Sequence, residues 1–314
     1  MTFSSNFAEF FIEQKERKLS LVFILLLSLI LSSSFALFKA MDSKIAIVTG
    51  ANKGIGFEIA RKLATNGIKT ILACRNPELG AKACNDLKVS GLSNVEFRQC
   101  DIGNSASVDE FVAALSKDYP KIDLLVNNAG IAFKGSDPTP FADQAEPTMR
   151  VNFFGTLYLT KSLLPLLKRS EAPVVVSVAS MTGHLKILPS KERKLQFTDP
   201  NLSIDQLESL MNEFVLDVKT GVHSERGWPN SCYGMSKLGV IAMTKVLARD
   251  EPDVLITSCC PGYCVTDMTS RRGQLTAEEG ARTPAFLAML DPTDSSTFQQ
   301  YTGTFCKLEK PVEW

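Results

Sequence analysis

Tyr233 and Lys237 stand four residues apart in Tyr233-Gly-Met-Ser-Lys237, a separation that puts two side chains on one face of a helix. A free phenol has a pKa of about 10, and a neighbouring ammonium favours its phenolate and brings it toward usable acid/base range. A tyrosine held this way can donate a proton to an oxygen of a bound molecule. Upstream, Ser180 in Ser180-Met-Thr-Gly183 offers a hydroxyl that can hydrogen-bond the same oxygen as negative charge develops on it. Asn152, in Val-Asn-Phe-Phe-Gly, reads by itself as a helix hydrogen-bonder.

Nearer the start, an apolar run ends in Thr49-Gly50-Ala51-Asn52-Lys53-Gly54-Ile55-Gly56. Missing side chains there let backbone and a helix N-terminus approach a pyrophosphate. The spacing is T-G-x-x-x-G-x-G rather than G-x-G-x-x-G. Charge then selects the nucleotide, because an NAD site places an acidic residue after the second strand to bond the ribose 2′-hydroxyl. Here that place holds Arg75, and Lys53 adds a cation inside the glycine turn. The pair suits the 2′-phosphate of NADP, whose charge is about −1.5 to −2.

These residues need a frame. From Lys44 onward the apolar runs KIAIVTG, TILACR, NVEFRQCD, IDLLVNNAG, PVVVSVAS, VLITSCC and TGTFCKL alternate with helical patterns. Such near-continuous runs with interleaved helices predict a doubly wound α/β fold of the Rossmann type, with about seven parallel strands covered on both faces. The first helix should run from the glycine turn to a C′ cap at Gly67. One stretch, about 184–231, is far longer than a strand-to-helix loop needs. Within it Ser203-Ile-Asp-Gln206 reads as a capping box, and Ile204, Leu207, Leu210, Met211, Phe214, Val215 and Val218 recur at helical spacing until Gly221.

Taken in order, the glycine turn, Asn127-Asn128-Ala129-Gly130, Asn152, Ser180, the Tyr233/Lys237 pair and Pro261-Gly262 resemble the short-chain dehydrogenase/reductase family, over residues 44 to 314. The resemblance implies hydride transfer with NADPH and a catalytic set of Asn152, Ser180, Tyr233 and Lys237, in which Asn152 holds a water in a proton relay behind Lys237. It implies cofactor contacts from Gly50, Asn52, Lys53, Gly54, Ile55, Gly56, Arg75, Asp101, Ile102, Asn128, Ala129, Gly130, Tyr233, Lys237, Pro261, Gly262, Val265 and Thr266. Of these, Asp101 would meet the adenine and Thr266 the nicotinamide carboxamide.

Within the family, LMNEFVLDVKTGVHSERGWPNSCYGMSKLGV and CCPGYCVTDM are similar to carbonyl reductases, with Tyr263 where the typical motif has Trp. Ile131, Phe133, Met181, Trp228 and Tyr263 are then the expected walls around a flat ketone, aldehyde or quinone. Three other readings stay open at this point. They are an NADP-dependent terpenoid or alkaloid reductase, since plant members also carry the long insertion, a nucleotide-binding scaffold without turnover, and a lumenal membrane-tethered hydroxysteroid dehydrogenase.

The remaining features bound the problem. The 314 residues carry 34 basic and 34 acidic side chains without a basic stripe, which leaves no footprint for nucleic acid. With two histidines far apart and no C-x-x-C pair, no metal site is expected. Cys74, Cys100, Cys259, Cys260 and Cys306 lie in or beside strand-like runs and read as buried thiols, while Cys232, Cys260 and Cys264 are the candidates for a redox-sensitive one.

Leu19 to Phe38 is uncharged and 20 residues long, enough for a membrane helix. Lys15, Arg17 and Lys18 before it and Ser34-Phe35-Ala36 within it equally fit a signal peptide, and Lys39, Lys44 and Lys53 follow it, so the basic flanks set no topology. The chain would be membrane-associated if the segment is retained and cytoplasmic if translation starts at Met41. Many short-chain reductases assemble through the Tyr/Lys helix; an insertion helix covering that surface predicts a monomer.

Overall fold

In a computed structural model of the chain the described residues are 44–314, so the apolar segment 19–38 and Met41 lie outside them. Among the described residues no helix is long and apolar enough to cross a membrane.

Strands β1 (Ile45–Thr49), β2 (Lys69–Cys74), β3 (Val95–Gln99), β4 (Leu124–Asn127), β5 (Val174–Val178), β6 (Leu255–Cys260), β7 (Phe305–Lys307) and β8 (Lys310–Val312) form one sheet. Its order is β3-β2-β1-β4-β5-β6-β7-β8. All pairs are parallel except the last, where Phe305 faces Val312 in an antiparallel hairpin. Alternate residues of a strand point to opposite faces, and both faces here are apolar. Ile47 and Leu125 join one core with Phe111, Leu163 and Phe214. Ala46, Val48 and Val126 join the other with Ile59, Leu63 and Leu287.

The eighth strand is one more than the apolar runs predict. Lys-Pro-Val is short, exposed and charged, and the turn before it puts Leu308 and Glu309 at φ 51° and 67° without the Asn-Gly or Asp-Gly signal that usually marks such a hairpin.

On one side lie α1 (Gly54–Thr65), whose C-terminal Gly67 takes the left-handed φ of 80°, and α2 (Pro77–Val89). On the other lie α3 (Ser105–Asp118), α4 (Phe141–Met149), a π-helix Arg150–Gly155 running into α5 (Thr156–Leu167), and α8 (Cys232–Asp250), the helix of Tyr233 and Lys237.

The insertion is structured, as its length requires. It holds α6 (Lys191–Thr198) and α7 (Ile204–Thr220), the latter opened by the Ser203/Gln206 capping box and closed by Gly221 at φ 79°. Helix α7 packs on α4 and α8. Contact is close because Gly239 of α8 has no side chain: a Cβ there would fall 2.7 Å from Met211 Cε and 2.9 Å from Phe153. An interior glycine weakens a helix by about 1 kcal/mol relative to alanine, and here it admits the stripe of α7 against the catalytic helix.

Trp228 belongs to this insertion's own core and not to a pocket wall. It is 1% exposed, lies edge-on to Phe197 and Phe214, and donates its indole N–H to Asp217 Oδ2 at 2.9 Å. The Arg193 guanidinium covers its face at 3.8 Å and is itself held by Glu213 at 2.6 and 3.0 Å. An indole before the Tyr/Lys helix suggests a substrate wall when read alone; its buried acid partner and stacked arginine are invisible in the local sequence.

Candidate active site

Strand order reverses between β1 and β4, which run parallel, and the carboxyl ends of the strands there open a crevice. Three hydrogen bonds stitch that crevice at its base. The Thr49 hydroxyl accepts from the backbone N–H of Asn128 at 2.9 Å and of Ala129 at 3.0 Å, while the Asn128 amide donates to Thr49 O at 2.9 Å.

Above this stitch the glycines let backbone pack against backbone where no side chain would fit. A Cβ on Gly56 would meet Asn128 Nδ2 at 2.4 Å and Gly50 O at 2.5 Å, and one on Gly50, at φ +64°, would meet Ala129 Cα at 2.9 Å. Helix α1 starts at Gly54 with no side-chain cap and no acid in its first turn, so its leading N–H groups are left for an anion. Asn52, Lys53, Gly54 and Ile55 lie along this turn with solvent access. Arg75, just past β2, is exposed and pairs with no carboxylate among the described residues. Lys53 instead already has a partner, Asp267 Oδ2 at 2.7 Å, and both are well exposed.

Asp101 follows β3, its carboxylate accepting from Gly103 N at 3.0 Å, and Ile102 beside it is buried. The backbone of Ile102 presses on the π-helix, where a Cβ on Gly155 would fall 2.2 Å from Ile102 O. Gly262 holds φ 88° after Pro261, and the chain folds back through a Cys264–Leu275 bridge. Thr266 thereby stands beside the glycine turn, its methyl 3.5 Å from where a Gly54 Cβ would be. Val265 next to it is exposed. A cradle without side chains, an uncapped helix start and an unpaired arginine fit a phosphorylated dinucleotide.

The four candidate catalytic residues meet at the crevice's far side. Asn152 sits in the π-helix, a wider turn that recurs at functional sites. Its amide accepts from Ile131 N–H at 2.8 Å and donates to Ile131 O at 2.9 Å and Ser236 Oγ at 3.0 Å, and Ser236 donates in turn to Tyr233 O at 2.8 Å. Asn152 thus ties the loop after β4 to α8. Gly130 lies where a Cβ would be 3.2 Å from Asn152 Oδ1 and 3.6 Å from Lys237 Nζ.

Lys237 is 5% exposed. It donates to Val178 O at 2.8 Å and lies 5.7 Å from the centroid of the Tyr233 ring. Burial pulls its pKa down to about 8, partly opposed by the sulfurs of Cys259 and Cys260. Burial likewise pushes the Tyr233 phenol up to about 12, with Cys260 adding to the rise and a hydrogen bond from Ser180 working against it. The residue types lead one to expect an ammonium that lowers the phenol. Within the chain the shift goes the other way, because desolvating a phenolate dominates it.

Ser180 caps the 3-10 turn Met181–Gly183. That turn lies directly on α8, since a Cβ on Gly183 would fall 2.5 Å from the Lys237 carbonyl carbon, and Trp314 Nε1 donates to Gly183 O at 2.9 Å. Around the rim stand Ile131, Phe133 and Met181, half-buried on the loops after β4 and β5, and Tyr263, 53% exposed after β6. A cavity of about 520 Å³ between Pro173 and Pro252 lies at the opposite, amino ends of β5 and β6 and holds none of these residues.

Thr49, Ser236 and Trp314 are positioning residues that motif spacing misses. Thr49, which opens the glycine-turn motif, and Ser236, which lies inside Tyr233-Gly-Met-Ser-Lys237, left a sequence signal, and Trp314 left none. All eight cysteines are free and buried. Burial pushes Cys232 up to about 12 and Cys264 to about 11, so neither has the thiolate character of a redox sensor. Among the described residues no His/Cys/Asp/Glu group could hold a metal ion.

A family model described as short chain dehydrogenase matches residues 44–189. Carbonyl reductase (NADPH) 1 of Mus musculus is 44% identical over 279 residues, covering 86% of this chain and 98% of its own length. The Homo sapiens protein of the same name is 41% identical over 277 residues, with 86% and 97% covered. Among solved structures, salutaridine reductase from Papaver somniferum superimposes with a TM-score of 0.77 at 30% identity, covering 83% of this chain and 99% of that one. Menthone neomenthol reductase from Mentha piperita gives 0.71 at 28% identity, with 83% and 97% covered.

The buried lysine has a measurable signature. Its folded pKa of about 8 lies below the ordinary 10.5, so between those values the unfolded chain binds more protons and stability rises with pH. Lys237→Met removes the buried charge and should melt above the wild type at pH 7, by a margin that narrows as pH climbs from about 8 toward 10. Scanning calorimetry across that range checks it. A Met variant that melts lower at pH 7 would mean that the bond to Val178 outweighs the desolvation.

Proposed function

The chain belongs to the short-chain dehydrogenase family, and we propose that it reduces ketone, aldehyde or quinone carbonyls to alcohols with NADPH as the hydride source. The observation that carries this reading is the meeting of Ser180, Tyr233 and Lys237 at the end of β5, beside a glycine cradle that suits a dinucleotide. The carbonyl reductases matched over nearly their whole length support the same reaction class. The cofactor, when bound, supplies the hydride that adds to the carbonyl carbon.

The chain's residues handle the oxygen. Ser180 donates a hydrogen bond to it as negative charge develops there. Tyr233 donates the proton. Held up near 12 by its dry surroundings, the phenol is fully protonated at neutral pH and loaded for the reductive direction. Lys237, near 8, sits close enough to working pH to pass a proton onward. Asn152 acts by position, fixing the loop of Ile131 against α8. Arg75 takes the 2′-phosphate, and Lys53 contributes less because Asp267 holds it.

The insertion also bears on assembly. Leu207, Leu210, Met211 and Phe214 of α7 are buried within the subunit against α4 and α8, and burying each such side chain is worth roughly 1.5 to 3 kcal/mol. The face of α8 that could pair with a second copy is thus covered from within, which supports a monomer.

Tyr233→Phe should lose turnover of menadione by orders of magnitude while quenching NADPH fluorescence as the wild type does; near-normal turnover would overturn the acid assignment, and a wild type that never oxidises NADPH would leave only a binding scaffold. A wider ketone panel separates general carbonyl reduction from a dedicated terpenoid or alkaloid ketone. Arg75→Ala should raise the Michaelis constant for NADPH far more than for NADH, and Lys53→Ala should do so less; equal shifts for both nucleotides would refute the phosphate contact. Light scattering of residues 41–314 should return the mass of a single chain, and a stable dimer or tetramer would contradict the covered helix face.

A further inference from the structure

Two donors of one residue converge on the hydroxyl oxygen of Ser180. The backbone N–H of Thr182 lies 3.2 Å away and its side-chain hydroxyl, donating, 3.0 Å away. A serine hydroxyl has two acceptor positions and one proton. With both positions filled by Thr182, the proton is all that Ser180 has left to offer, and it is left free for an oxygen in front of it.

The arrangement matters because a serine hydroxyl and a tyrosine hydroxyl can pair in either sense. If Tyr233 donated to Ser180, the proton needed by the carbonyl oxygen would be tied up in a bond within the protein. We propose that Thr182 is a positioning residue for carbonyl reduction: its side-chain hydroxyl fills the Ser180 acceptor position and so fixes Ser180 as donor to the reacting oxygen and Tyr233 as the group whose proton stays free. This rests on the carbonyl-reductase reading of the site. The β-branch of threonine narrows its rotamers, which suits a group whose task is to hold one direction. Donation into Ser180 also polarises the serine O–H and strengthens the bond it makes in turn.

The turn itself does not depend on the Thr182 side chain, which is exposed. Gly183 rests on the α8 backbone and receives the Trp314 N–H. Removing the hydroxyl alone should leave the fold in place.

The test uses the whole chain with NADPH and menadione, comparing Thr182→Val, which keeps the shape and loses the hydroxyl, with Thr182→Ser, which keeps the hydroxyl. The Val variant should lose about five- to tenfold in kcat, the scale of one hydrogen bond, with the Michaelis constant for NADPH and the melting temperature unchanged. The Ser variant should return to within about twofold of wild type. In the alcohol-oxidising direction the pH profile of the Val variant should move to higher pH, because a weaker bond from Ser180 leaves the phenol higher, with Lys237 and Cys260 around it as before. If valine disturbs the turn and lowers the melting temperature, Thr182→Ala, which only removes exposed atoms, reads the same quantities.

A Val or Ala variant with wild-type kcat and an unmoved pH profile overturns the proposal while leaving the reductase reading intact. A Ser variant as impaired as Val overturns it too, by making the residue's bulk and not its hydroxyl responsible. A wild type inert toward every carbonyl overturns both.

Discussion

The ammonium of Lys237 lies almost wholly out of water, with the carbonyl of Val178 at 2.8 Å. A charge so placed is expensive, and its pKa falls to about 8 because the interior cannot match what water gave it. Much of the catalytic half follows from keeping it there. Strand β5 must end at Val178 for the carbonyl to be offered, and Ser180 then emerges two residues later at the height of the phenol. Helix α8 must lie flush on that strand end, which Gly183 allows by having no side chain. The loop after β4 must come within reach, which Asn152 secures from a π-helix.

The insertion completes that enclosure from outside. In a plain α/β unit the Tyr/Lys helix would show its outer face to solvent or to a partner. Here α7 covers it, and the cover has a small core of its own: Trp228 between Phe197 and Phe214, closed over by Arg193 and anchored to Asp217. Asp217 is 2% exposed and also faces Arg226 at 3.3 Å, so this buried acid is paired as burial requires. The segment leading into Tyr233 is thus held at both ends, by the indole at 228 and by the Ser231 cap of α8.

Features carried by local rules were legible in the sequence. The glycine turn, the parallel-strand runs, the capping box at Ser203 and the left-handed Gly221 all rest on short-range chemistry, and each took its expected place. What could not be read depends on distant partners. Trp228 lost its place at the pocket to an acid eleven residues upstream, and the pairing of Lys53 with Asp267, more than two hundred residues on, was equally out of reach of local spacing. The hairpin of β8 lacked both apolar pattern and turn signal. The upward shift of the phenol within the chain alone was not legible for a different reason: spacing on a helix gives proximity of Tyr233 and Lys237, but only the structure gives the dryness that favours the neutral phenol before a cofactor's charge is added.

The hydrogen bond from Trp314 to Gly183 links positions 131 residues apart in sequence. In kinetic terms that is a contact of high order, and contacts that close long loops form slowly because the loss of chain freedom precedes their reward. The turn that presents Ser180 is therefore completed only when distant chain has docked on it. An incompletely folded chain would own every motif of the site, and even a formed glycine cradle, without a serine held in place to act.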